Sequence, residues 1–231
     1  MKKYFFWLTA FLIIAIDSYS IAQCTEKQMT LTLDKRGKIQ IVLIGTGEVS
    51  IDWGDGTKKT YTLTEKDLYR FRHLRYKSGR RITHRYKDTQ SRNITITGGN
   101  ISSLRCIGIG LTNLDVSNNS SLKYLNCNKN QLTTLDGNLN NELLWLDCDD
   151  NQLTGLDLSG KNELYILHIS RNSLSTAALN DMFESLHDRT KTEFKAVTIE
   201  GNPGARWSDV CIALKKGWTV TLVAGVANII P

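Results

Sequence analysis

The residue types that could do acid–base or metal chemistry are four histidines, His73, His84, His168 and His187, and a run of closely spaced aspartates. His168 and Ser170 lie about one repeat beyond Asp147, Asp149 and Asp150. A histidine beside a hydroxyl with a carboxylate in reach is the makings of a hydrolytic site. Three clustered carboxylates are what a hard cation such as calcium prefers. Neither reading is adopted: surfaces of repeated strands carry such mixtures routinely, and no EF-hand or nonapeptide calcium signature is present. The chain is therefore expected to be non-enzymatic, with no catalytic residue, no metal and no cofactor. The acids are read as solvated strand-edge groups, and Asp115, Asp136 and Asp157 as turn formers.

Two other groups of residues invite chemistry. Cys24, Cys106, Cys127, Cys148 and Cys211 would be paired first in an oxidising compartment. Three of them recur at a fixed interval, however, and an inward-facing column suits a small apolar thiol better than a disulfide between parallel neighbours. From Tyr69 to Lys87, aromatics interleave with Arg70, Arg72, Arg75, Arg80, Arg81, Arg85 and Lys87. Such a segment could engage an anionic glycan or other polyanion. The alternative is a strand pair whose arginine face is merely solvated while Tyr69 and Phe71 pack inward.

The elements that must position these residues come from an internal repeat. Leu111-Thr112-Asn113-Leu114-Asp115, Leu132-Thr133-Thr134-Leu135-Asp136 and Leu153-Thr154-Gly155-Leu156-Asp157 are spaced by 21 residues. In the same register run Ile101, Leu122, Leu143 and Leu164; Leu104, Leu125, Leu146 and Leu167; Cys106, Cys127, Cys148 and Ile169; and Ile109, Asn130, Asn151 and Asn172. The unit is L-x-x-L-x-C-x-x-N-x-L, a leucine-rich repeat. A unit this short cannot bury its own apolar face and must stack on its neighbours. Each unit contributes one short strand with alternate residues turned into the core, and its asparagine can satisfy turn backbone groups. The fold class expected is an α/β solenoid with a short parallel concave sheet.

A further unit is expected at Phe194 to Asn202, 30 residues after Leu164. The longer insert carries apolar residues at helical spacing from Ala177 to Leu186, with Ser175 or Thr176 as N-cap. A second helix around Trp207 to Leu214, ending at Gly217, and a strand from Trp218 to Val223 would form a C-terminal cap over residues 203–231.

Ahead of the repeats, Met29 to Leu33, Ile39 to Ile44, Val49 to Trp53, Ile82 to Tyr86 and Ile94 to Ile96 read as strands separated by glycine-containing turns. They predict a small antiparallel β-sandwich over residues 24–97, with the leucine-rich repeats over 98–202. The charge distribution splits at the same place. Residues 24–93 hold 16 basic and 8 acidic side chains, and residues 94–174 hold 5 and 8. Residues 1–22 have the charged start and short apolar run of a secretory signal peptide, too short to span a bilayer as a helix. The small-x-small site Ser20-Ile21-Ala22 predicts cleavage before Gln23. Lipidation of Cys24 is the competing reading. No later segment is apolar for long enough to span a membrane.

The segment Ile51 to Thr57, followed by His84-Arg85-Tyr86, resembles the polycystic-kidney-disease type of immunoglobulin-like domain, from which the basic insert between Thr60 and Arg81 departs. The cysteine-bearing repeat resembles the cysteine-ladder repeats of internalin-type bacterial surface proteins, and resembles more closely the leucine-rich-repeat proteins secreted by gut Bacteroidetes. That resemblance implies a secreted or cell-surface location, adhesion or protein binding, and no particular partner.

The outward columns of the strands are the candidate binding surface: Arg105; Tyr124, Asn126 and Asn128; Trp145, Asp147 and Asp149; Ile166, His168 and Ser170. Repeat proteins bind through such extended sheets, and an exposed Tyr124–Trp145 pair would serve as an anchor. The function expected is recognition of an extracellular protein or glycoprotein, with no nucleic acid partner. The alternatives are a structural or assembly role in a cell-surface complex, or anionic-glycan binding through the basic N-terminal part.

Overall fold

The computed structural model describes residues 27–64, 79–135, 139–188 and 194–222. The expected signal peptide, Cys24, Arg70, Arg72, Arg75 and Asp136 lie outside them. Six strands come first: β1 (Gln28–Leu33), β2 (Gly37–Asp52), β3 (Lys58–Leu63), β4 (Arg80–Tyr86), β5 (Arg92–Arg105) and β6 (Leu111–Asp115). Three short strands follow, β7 (Tyr124–Asn126), β8 (Trp145–Asp147) and β9 (Ile166–His168), then helix α1 (Thr176–Ser185), β10 (Ala196–Thr198), helix α2 (Val210–Lys215) and β11 (Thr219–Thr221). The described chain is thus mostly sheet, with two helices.

Alternation drives the first strands. In β1, Met29, Leu31 and Leu33 are buried between half-buried polar residues. The two strands expected at Ile39–Ile44 and Val49–Trp53 are instead one strand, β2, of 16 residues. The glycines between them make a bulge and not a reversal. A Cβ on Gly45 would lie 2.2 Å from the Asn100 carbonyl oxygen, Gly47 has φ +90°, and the β2–β5 register slips there. Glycine in a strand marks just such a close backbone approach.

The antiparallel strands ahead of the repeats are hydrogen-bonded to them. All the strands belong to one hydrogen-bonded sheet, because β5 serves both halves of the chain. Its first half pairs antiparallel with β1 and β2, while Ser103 to Arg105 pair with β2 on one side and, in parallel, with β7 on the other. Position 97/98, the boundary read from the sequence, falls inside this strand.

Apart from β6, which pairs antiparallel with β1, the strands from β5 onward stack in parallel; the register follows the 21-residue period from Ser103 to Tyr124, Trp145 and Ile166, then continues with Ala196 beside Ile166 and Thr219 beside Ala196. Leu104, Leu125, Leu146, Leu167 and Val197 form one buried column, and Cys106, Cys127, Cys148, Ile169 and Ile199 the next. Helix α1 starts where Ser175 Oγ accepts the Ala178 N–H, and buries Leu179, Met182 and Phe183 in the same core. Phe194, expected in the leucine column, is 60% exposed. Its neighbour Lys195 is buried, with Nζ donating to the Lys216 carbonyl at 2.5 Å and lying over the Trp218 ring. A helix C-terminus offers carbonyls to a cation, which makes burying the lysine stem tolerable.

The asparagines clamp each turn to the next. Asn130 Oδ1 accepts the backbone N–H of Ile109, Gly110 and Leu111, while its amide donates to the carbonyls of Cys106, Cys127 and Asn128. Asn151 and Asn172 repeat the pattern one and two units on. The residue before each asparagine is left-handed, Lys129, Asp150, Arg171 and Gly201, as is Gly108 before Ile109 in the first unit. That turn is what aims the asparagine amide into the stack.

Candidate functional site

Alternate residues of the parallel strands face away from the core and line up across the sheet. Tyr124, Trp145 and Ile166 form one row; Asn126, Asp147 and His168 form the next. Asn128, Asp149 and Ser170 continue the face past the strand ends. The sequence placed these residues together, and the pairing brings them side by side.

Their exposure differs from the expectation. Trp145 is only 6% exposed, so it is no open anchor. It lies between Tyr124 and Ile166 in its row, with the His168 ring edge-on at 5.8 Å. Large rings in adjacent registered strands cover one another, and the central one loses most of its surface. Asn126, Asp147 and Ser170 are buried as well. Arg105, Tyr124, Asn128, Asp149, Ile166 and His168 remain half-buried and form the accessible part of the face.

The polar groups are tied to one another. Asp147 Oδ2 accepts from the amides of Asn126 and Asn128, each at 2.9 Å. Asp149 Oδ1 accepts the Ser170 N–H at 2.6 Å. His168 Nδ1 lies 3.1 Å from Thr198 Oγ1, its register partner on β10. Burial pushes the Asp147 carboxyl above the ordinary carboxylate range. Burial and the adjacent Asp147 charge push Asp149 to about 6. Burial lowers His168, against the pull of Asp147. Asp150 points elsewhere: its bidentate contact with Arg171, at 2.5 and 2.9 Å, holds its carboxyl low. The three aspartates thus have three different engagements, and among the described residues no three His, Cys, Asp or Glu side chains converge as a metal ion would require.

The cysteine column is dry. Cys106, Cys127 and Cys148 are fully buried free thiols, and burial raises all three well above the usual thiol range. Cys106 and Cys148 donate weakly to the carbonyls of Asn126 and His168 on the next strand. A thiol so disfavoured as thiolate is inert to metals and oxidants. Asp115 and Asp157 accept the N–H two residues on, as turn formers do.

With that geometry in view, comparison with known proteins adds one partial likeness. A solved structure of the functional domain of InlJ from Listeria monocytogenes, which includes a cysteine ladder, matches at 30% identity with a TM-score of 0.39. The match covers 49% of this chain and 23% of that one, so the chain spans about a quarter of the length of the protein it resembles. No protein-family model matches, and no curated protein matches.

The basic residues lie apart from this face. Arg80, Arg81, Arg85 and Lys87 are exposed on or just after β4, a strand that, among the described residues, pairs with β2 alone. His84 in the same strand belongs to a structural cluster. It stacks on Trp53 at 4.6 Å and meets Asp55 Oδ2 at 2.6 Å, while the Tyr86 hydroxyl donates to the Trp53 carbonyl. Desolvation works against the Asp55 charge, but hydrogen bonds from Thr57 and His84 outweigh it and hold the carboxyl at about 2. No helix among the described residues is long and apolar enough to cross a membrane.

Proposed function

We propose that the chain is a non-enzymatic, secreted or cell-surface recognition protein: a leucine-rich-repeat solenoid that binds an extracellular protein or glycoprotein through the outward face of its parallel strands. One observation carries the reading. A row of large apolar and aromatic side chains and a row of hydrogen-bonded polar side chains run in register across β7, β8 and β9, leaving half-buried groups that are already oriented by one another. Such preorganisation lowers the entropy lost on binding, and aromatic residues flanked by polar groups are the composition of interface centres. The raised Asp149 suits contact with a partner's cationic side chain, which would favour the ionised carboxylate.

The test uses immobilised extracellular glycoproteins and two variants that leave the core intact. Asn128→Ala/His168→Ala removes half-buried polar groups of the face, and Tyr124→Ala removes the accessible ring. A loss of about tenfold or more in affinity from each, with unchanged circular dichroism, is expected if two or more contacts of this size are removed. Full binding by both variants would refute the assignment of the face.

A further inference from the structure

Strands β2 and β4 place Lys38 opposite Arg85, Gln40 opposite Thr83 and Val42 opposite Arg81. Alternation turns Ile82 and Tyr86 into the core and leaves Arg81, Thr83 and Arg85 exposed beside Lys38 and Gln40, with Lys87 following. Like charges directly opposite one another destabilise a strand pair. Among the described residues, no hydrogen bond or ion pair engages the side chains of Lys38, Arg81, Arg85 or Lys87. The repulsion is therefore carried without an internal partner.

The strip continues past the Gly37–Tyr86 pair into a cleft of about 430 Å3 between the β1–β2 turn and the first repeat, lined by Lys35, Arg36, Lys129 and Gln131. Asp34 also lines this cleft. Of the acids near the track, Asp88 is occupied by Arg92 at 2.7 Å and Asp150, beside Lys129, by Arg171 at 2.5 Å. The cations thus outnumber the available carboxylates along the whole track.

We infer that this track, from Arg81 and Arg85 through Lys38 to the Lys35–Lys129 cleft, binds an anionic polysaccharide. Three features select that class. The charges lie along a line and not around a single pocket, which fits a polymer. Gln40, Thr83 and Gln131 sit among them as uncharged hydrogen-bonding groups of the kind that pair with sugar hydroxyls. Among the described residues no aromatic ring is open on this side, since Tyr86 is buried and Lys59 and Arg80 lie over Tyr61. A single-stranded nucleic acid site would need such stacking platforms.

The experiment titrates the full chain against surface-bound heparin, uncharged dextran and a DNA duplex, at about 50 and about 200 mM salt, the range over which multi-contact polyanion binding changes most. Heparin is expected to bind, with affinity falling at least about tenfold across that range, and dextran not to bind. Lys38→Glu/Arg85→Glu is expected to lower heparin affinity at least about tenfold at low salt, and the milder Arg81→Gln/Arg85→Gln to lower it less. The charge-matched Lys123→Glu/Lys215→Glu leaves it unchanged. Equal binding by the strip variants and the control, or preference for the duplex over heparin, would overturn the assignment. The Asn128→Ala/His168→Ala variant keeps heparin binding, which separates this surface from the sheet face.

Discussion

At the scale of single residues, the asparagine column carries the stack. Asn151 makes four hydrogen bonds inside the protein, one accepted from Leu132 and three donated to carbonyls of two successive units. Truncating it leaves buried backbone groups unpaired, each costing about 1–3 kcal/mol where no water can enter. Asn151→Ala is expected to lower stability by about 3 kcal/mol, read as a shift in the denaturant midpoint at constant m. The acid face predicts an effect of pH. Asp149 is held at about 6 against 3.8 in the unfolded chain, so the folded state binds its proton more tightly. Its contribution is fully present below about pH 4 and lost as pH rises through about 6. Thermal midpoints should fall over that window in the native chain. Asp149→Asn, which keeps the acceptor for Ser170, should flatten the fall and gain of order 1 kcal/mol at pH 7 after allowance for solvent screening. An unchanged profile would show that Arg171, 3.7 Å away, already compensates the charge.

At the scale of elements, glycine decides whether a strand turns or passes through. Gly45-Thr46-Gly47 looks like a turn in the sequence, yet with Gly98-Gly99 opposite it lets β2 and β5 pair at close range without breaking. Gly45→Ala would drive a methyl group into the Asn100 carbonyl and is expected to cost about 3 kcal/mol or more, since backbone on both strands must shift. Gly155→Ala is the control: a Cβ there meets nothing within 4 Å, and the change should be neutral or slightly stabilising in the same urea titration. The helices were readable because their signals are local. Ser175 caps α1 and the apolar residues recur at helical spacing. Phe194 was misplaced because a template match says nothing about what the neighbouring helix offers, and the α2 carboxyl end made Lys195 the residue to bury.

At the scale of the molecule, β5 joins the antiparallel strands to the parallel stack through one continuous hydrogen-bonded sheet. A chain whose two parts share a strand loses both when that strand is pulled out. Calorimetry on the full chain is expected to show a single transition, with calorimetric and van't Hoff enthalpies in agreement. Two resolved transitions would mean that the boundary near residue 97 is a true seam and that β5 can part in the middle. The two charged surfaces also separate at this scale: the cationic track follows β4 and the first turn, while the acids cluster on β8 and its turn.

The sequence by itself determined the repeat period, the inward columns of leucine and cysteine, the asparagine at each turn, the capped helix α1 and the set of residues that share the outward face. These follow from period and polarity, which are properties of the chain alone. Only the tertiary structure decided that Trp145 is covered, that His168 meets Thr198, that β2 is one strand and that the antiparallel and parallel strands form one sheet. Each of those depends on a neighbour distant along the chain. Exposure, in particular, is a property of what packs alongside: a tryptophan in an outward column is an anchor or a filler according to the side chains registered on either side of it.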